Sequence, residues 1–373
     1  MDLIRKRQHF ATLDGLRGVA AIVVLAFHAL SPFDPSLTPH AALAVDFFFC
    51  LSGFVVGYAY ESRLLSTMSF TEFVAARIIR LYPLILVGLL LGSIVYIGKT
   101  LASHQSPFTP NFLIAVILEA LMVPFPPILG KAWWELSPIN PPAWSLFFEF
   151  FANFVYAIFV TRLIKPVMTV ALVLGAIIVF AQAFVFDGVA GGNHWNNLLG
   201  GFGRVFFPFL CGLFLFRRWQ TRPQLGALAK LAPFVPIVLL AVLLCPTPSS
   251  VNWLYESCAV VLVFPLITSA GALDVPGPRM SALYLFLGRL SYPIYILHYP
   301  FIRLFSNFVR THSLHGIQFW LLIAVEMLSA AGFSFAMLKL FDEPLRLWLS
   351  RKWRALHIQS QEKTHKDNVR QLP

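Results

Sequence analysis

The chain has 373 residues, of which 58% are apolar and only 12% charged; so few charged groups cannot clothe a water-soluble globule of that size. Its net charge is +11, but the excess sits in short clusters between apolar stretches, a pattern of membrane topology and not of a nucleic-acid surface. The composition excludes a soluble enzyme and a nucleic-acid-binding module, and predicts an all-α, polytopic integral membrane helical bundle.

The N-terminus MDLIRKRQHF is basic and precedes an apolar run, as in a signal peptide. That run holds Asp14, Arg17 and His28 and is followed by no small-residue cleavage site, so it reads as a retained first span. Apolar segments then recur at 15–32, 42–60, 82–98, 111–128, 143–162, 166–186, 196–216, 232–246, 253–272, 283–305 and 317–341. Each crossing needs roughly 20 apolar residues. Arg5, Lys6 and Arg7 place the N-terminus in the cytoplasm. Arg63, Arg77 and Arg80, then Arg162 with Lys165, then Arg217, Arg218, Arg222 and Lys230, then Arg279 and the tail are cytoplasmic too if one candidate between Lys99 and Trp144 fails to cross. The segment 111–128 carries Glu119 and ends in Pro124, Pro126 and Pro127, so it reads as re-entrant or interfacial, and Lys99 and Lys131 then fall outside. About ten transmembrane helices remain, with both termini cytoplasmic. Residues 61–81 read as a juxtamembrane helix, with Phe70, Phe73, Val74, Ile78 and Leu81 apolar at helical spacing. One membrane domain spans 1–350, and the polar tail 351–373 is expected to be partly disordered. Cys50, Cys211, Cys245 and Cys258 lie in apolar segments without metal-ligand spacing and read as small buried hydrophobes, so no metal is expected.

Ionisable residues inside spans are functional-site hypotheses by default. Arg17 and His28 are eleven residues apart, which advances a helix by about 1100°, within roughly 20° of three turns, and lifts it about 16 Å. They share one face at two depths. Asp46 enters span two from outside at a depth like that of His28, and Trp144, Ser145 and Glu149 fall in the outer half of the segment from Ala143. A carboxylate bonded to a histidine fixes its tautomer and raises its basicity, which suits a general base for a hydroxyl. At the inner depth, Arg77 and Arg80 share a helix face and, with Arg17, form forks that match phosphates; the other reading is positive-inside charge near acidic lipid. In LGRLSYPIYILHYP, Pro293 and Pro300 predict a kinked helix beside a cavity, where Tyr295 and His298 meet substrate or His298 makes a structural hydrogen bond. Asp342, Glu343, Pro344 and Arg346 are expected to end the last span.

These residues also carry a resemblance. LDGLRGVAAIVVLAFH, VDFFFCLSGFVVG, ARIIRLYPL, PPAWSLFFEF, LGRLSYPIYILHYP and FDEPL occur in order over residues 10–348, and the chain is similar in them to acyltransferase family 3, membrane O-acyltransferases of bacterial surface glycans. The resemblance implies about ten spans in a bacterial inner membrane and transfer of an acyl group, usually acetyl from acetyl-CoA, to a hydroxyl of a carbohydrate or glycan. It implies that His28 is catalytic, that Arg17, Arg77 and Arg80 bind the donor, and that Asp46 and Glu149 belong to the site. Trp144, Ser145, Tyr295 and His298 are then expected against substrate. Some relatives carry an extra extracytoplasmic domain that has no counterpart after the short tail here. The expected mechanism holds the acyl-CoA phosphates on the three arginines while His28, oriented by Asp46, deprotonates the acceptor; a transient acyl-histidine is the competing route. A transporter built on broken helices is the rival reading from another class, and a passive scaffold or sensor is a third.

Overall fold

The computed structural model describes residues 9–127, 135–221, 230–312 and 314–370, with side chains as far as Leu356. Among these residues the chain is helical apart from loops and one antiparallel bridge between Glu135 and His194. Nine helices are long and apolar enough to cross a bilayer, and Pro110–Ala120 and Ala232–Leu244 are shorter. The protein is an all-α integral membrane protein. Of the ten expected crossings, the segment 232–246 is thus the short one, and the segment 111–128 is short as its proline run predicted. Arg5, Lys6, Arg7, Lys131 and Arg222 lie outside the described residues.

Helix α1 runs Ala11–Leu30 and α2 runs Ala44–Leu64. Ser69 caps α3, Phe70–Ala102, in a reciprocal bond with Glu72, the capping box that the sequence SFTE encodes. The expected juxtamembrane helix and the third span are therefore one 33-residue helix with Pro83 inside it. Helix α4 is Pro110–Ala120, α5 Trp144–Phe159, α6 Lys165–Phe186, α7 Leu198–Thr221 and α8 Val235–Leu244. Helices α9, Asn252–Cys258, and α10, Phe264–Leu273, are joined by a π turn. Helix α11 is Pro278–Leu297 and α12 is Tyr299–His312, so the chain breaks at His298 between the two prolines of the motif. Helix α13, Gly316–Met337, passes through a π turn at Leu338–Asp342 into α14, Glu343–Arg370. Pro344 does not end the helix: it sits in the first turn after the π turn, where a missing N–H costs little. The tail expected to be partly disordered continues as helix to Arg370.

Two helix pairs hold the centre. Helices in a bilayer gain no hydrophobic drive from one another, so close approach of small residues decides their packing. In α2 and α7, Gly53 faces the carbonyl of Phe209 and Gly212 faces that of Cys50, each so closely that a Cβ would collide. In α1 and α11, Gly288 lies against Asp14 in the same way. Cys50 and Cys211 are buried as expected, whereas Cys245 is exposed.

Candidate functional site

Three neighbouring chambers with shared wall residues lie within the bundle. Calling the end at which α1 begins the lower one, a lower chamber of about 420 Å³ is lined by Asp14, Arg17, Tyr58, Arg80, Arg289 and Arg346, among others. It shares Arg17, Leu51, Val55, Arg80 and Tyr292 with a middle chamber of about 120 Å³, whose wall adds Arg77, Ser145, Glu149 and Tyr295. An upper chamber of about 250 Å³ is lined by His28, Trp144, Arg204, Tyr299, Glu135 and Asn193, among others, and shares Val45 and Tyr295 with the middle one. The face of α1 that carries both Arg17 and His28 therefore lines the lower and middle chambers with the one and the upper chamber with the other.

The lower and middle chambers are cationic. Arg17 donates to Ser291 Oγ at 2.9 Å and to the Gly288 carbonyl at 2.7 Å, and pairs with Asp14 at 2.9 Å. Arg77 pairs with Glu149 at 2.6 Å, and Ser52 donates to the same carboxylate oxygen at 2.8 Å. Arg80 forms no ion pair among the described residues: Arg17, Arg77 and Arg346 repel it, and Asp342, which pairs with Arg346, attracts it from beyond contact distance. Three guanidiniums converging on one space, one of them without an ion pair among the described residues, make a site for a polyanion.

The upper chamber holds a histidine pair. His298 Nδ1 lies 2.9 Å from the Ile294 carbonyl, which can only accept, so that nitrogen carries the proton and Nε2 is left as an acceptor. Nδ1 of His28 lies 3.1 Å from that acceptor and 3.0 Å from the Val24 carbonyl. Two acceptors therefore put the proton of neutral His28 on Nδ1 and leave its Nε2 bare. A bare imidazole nitrogen in a chamber is a general base placed to receive a proton.

The partner of His28 is thus His298 and not Asp46, as the sequence had suggested. Asp46 is fully buried and takes a bidentate grip from Arg204, with Nη2 to Oδ2 at 2.6 Å and Nε to Oδ1 at 3.0 Å. Depth along a span is legible in sequence, but the direction a side chain faces across the bundle is not. Glu149 also leaves the group expected around His28: it lies one turn beyond Ser145 on α5 and joins Arg77 in the middle chamber. Trp144 and Ser145 are adjacent and so point apart. Trp144 lines the upper chamber with the Arg204 guanidinium 5.3 Å from its ring, while Ser145 bonds the Tyr295 hydroxyl at 2.6 Å on the middle-chamber side.

Several residues that build the site were passed over in the sequence. Arg204 stands alone in LLGGFGRVFF, and an intramembrane charge should have drawn notice by the same rule that picked Arg17. Glu119 accepts from the backbone N–H groups of Ile139 and Asn140 at 3.1 and 2.8 Å, tying α4 to the loop that roofs the upper chamber. Arg303 donates to the Pro138 and Ile139 carbonyls and stacks on Tyr299. In that loop, partial burial holds the Glu135 carboxyl above its ordinary range against the pull of Arg303 and His194. No group of three or more His, Cys, Asp or Glu able to hold a metal ion occurs among the described residues.

Comparison with known proteins gives the family. A family profile described as "Acyltransferase domain" matches residues 10–339. A protein of Rhizobium radiobacter named "Protein 2 in picA locus" is 34% identical over 192 residues, covering 48% of this chain and 97% of the relative. No solved structure matches.

Proposed function

This chain belongs to acyltransferase family 3 and is a membrane acyltransferase, and on that footing we propose that it moves an acetyl group from cytoplasmic acetyl-CoA to a hydroxyl of a glycan on the far side of a bacterial inner membrane. Both termini are then cytoplasmic, the lower chamber opens to the cytoplasm and the upper one to the acceptor. The observation that carries the reading is the series of chambers with shared walls, arginines at one end and a bare histidine nitrogen at the other.

In this reading Arg17, Arg77 and Arg80 hold the phosphates of CoA, and its pantetheine arm threads the middle chamber. An extended arm covers the about 16 Å that separates Arg17 from His28 along α1. His28 takes the acceptor proton on Nε2, and His298 accepts from Nδ1 and holds the tautomer. Trp144 offers the acceptor an aromatic face. Asp46 acts at one remove, by fixing the Arg204 that lines the acceptor chamber.

The test is purified protein in proteoliposomes, given radiolabelled acetyl-CoA inside and surface glycan from the producing cells outside. Label is expected on the glycan as an ester, and His28→Ala is expected to lower kcat by roughly a hundred- to ten-thousandfold while the protein stays inserted. Uptake of glycan without covalent change would support a transporter, and full activity of His28→Ala would remove the histidine from the chemistry.

A further inference from the structure

The middle and upper chambers share two wall residues, Val45 and Tyr295. Valine has no polar side-chain atom, so the Tyr295 phenol is the one polar side chain common to both. Its hydroxyl has a defined resting partner. Ser145 Oγ lies 3.3 Å from the Pro142 carbonyl, which can only accept, so Ser145 donates there and receives the Tyr295 proton at 2.6 Å. Both side chains are buried, Tyr295 at 6% and Ser145 at 4% exposure, and the Phe48 ring stands edge-on to the phenol at 5.6 Å. Of the other donors at the upper chamber, Arg204 is already committed to Asp46 and to the carbonyls of Gly191 and Ala42, and the Tyr299 phenol lines the upper chamber without reaching the middle one.

A donor arriving from below and an acceptor arriving from above meet at this shared wall. When a hydroxyl attacks a thioester, negative charge grows on the carbonyl oxygen, and a preorganised hydrogen-bond donor aimed at that oxygen is a large contributor to rate. Resting on the acyl-transfer reading above, we propose that Tyr295 is the catalytic oxyanion donor, its O–H turning from Ser145 to the thioester oxygen as the two substrates meet. The acceptor oxygen forms a bond to the carbonyl carbon and its proton passes to Nε2 of His28. The C–S bond then breaks, the electron pair goes to sulfur, and His28 returns the proton to it. Tyr295 keeps its own proton throughout, and Ser145 holds the phenol in place between turnovers.

Tyr295→Phe, which keeps the ring and removes the hydroxyl, tests this in proteoliposomes with radiolabelled acetyl-CoA and the extracted glycan. The expected result is a kcat lower by about a hundred- to a thousandfold with the Kd for acetyl-CoA and the melting temperature unchanged. A kcat within about threefold of the parent, or a loss confined to KM, overturns the assignment. If Tyr295→Phe fails to bind acetyl-CoA, 3-fluorotyrosine at 295 decides: the altered acidity of an oxyanion donor shifts kcat by about threefold or more, and a packing residue leaves it unchanged. Absence of transfer by the parent protein overturns the acyl-transfer reading itself, whereas an active parent with an active Tyr295→Phe overturns only the role of Tyr295.

Discussion

Arg80 differs from Arg17 and Arg77 in having no carboxylate at ion-pair distance among the described residues, although it faces the same space. A bound phosphate would therefore gain most from Arg80. Losing one charge-assisted contact costs about 1.5–3 kcal/mol, so Arg80→Ala should raise the KM for acetyl-CoA about 10- to 100-fold with little change in kcat. Arg17→Ala should do less to KM, because Asp14 already neutralises Arg17 in the resting protein. Equal effects at both positions, or none at Arg80, would return the arginines to a role in topology. His298 carries a different expectation, since it acts through His28. His298→Asn keeps the second acceptor for Nδ1 of His28 and should retain most activity, while His298→Leu leaves the Val24 carbonyl as its one acceptor, loosens the hold on the ring, and should lower kcat and displace the pH–rate profile. Matching profiles for the two variants would leave His298 a packing residue. Arg17, His28, Arg77 and Arg80 were legible because an 11-residue and a 3-residue spacing on a helix fix a common face. The His28 partner was not, because Asp46 and His298 lie on different helices and sequence gives their heights but not their bearings.

At the scale of elements, the Asp46–Arg204 pair fastens α2 to α7 where Gly53 and Gly212 bring the helices together. Removing one partner of a buried pair leaves an uncompensated charge and costs about 3–5 kcal/mol. Asp46→Asn should lower the melting temperature in detergent sharply, and Asp46→Asn with Arg204→Gln should recover part of that loss. A double variant no better than the single would mean that the arginine is neutralised by other groups. The helix ends were less legible than the helices. Ser69 and Glu72 announce the start of α3, but nothing in the sequence separates a juxtamembrane helix from a span that simply begins early. Pro344 looked like a terminator because the preceding π turn, which makes the proline tolerable, has no residue signature.

At the scale of the molecule, the number of spans was nearly readable because about 20 apolar residues per crossing is a coarse and robust requirement. The chambers were not readable, since they form where five or six helices fail to fill space, and hydropathy records only the composition of each helix. Their arrangement still sets a whole-molecule expectation for sidedness. Acetyl-CoA supplied only to the face where α1 begins should support transfer, and the same donor supplied to the opposite face of intact vesicles should not. Equal rates from both faces would remove the donor path.

The wall of Val45 and Tyr295 has one further consequence, for the cell's energy supply and not for the acyl group. A protein that passes chemistry through a coupling membrane risks short-circuiting it, and here Val45 and Tyr295 stand in the walls of both the middle and the upper chamber. Proteoliposomes carrying the protein should hold an imposed proton gradient during turnover as long as empty ones do. Trimming the wall, as in Val45→Gly with Tyr295→Ala, should make them leak, so that the residues at the reaction junction also insulate the membrane.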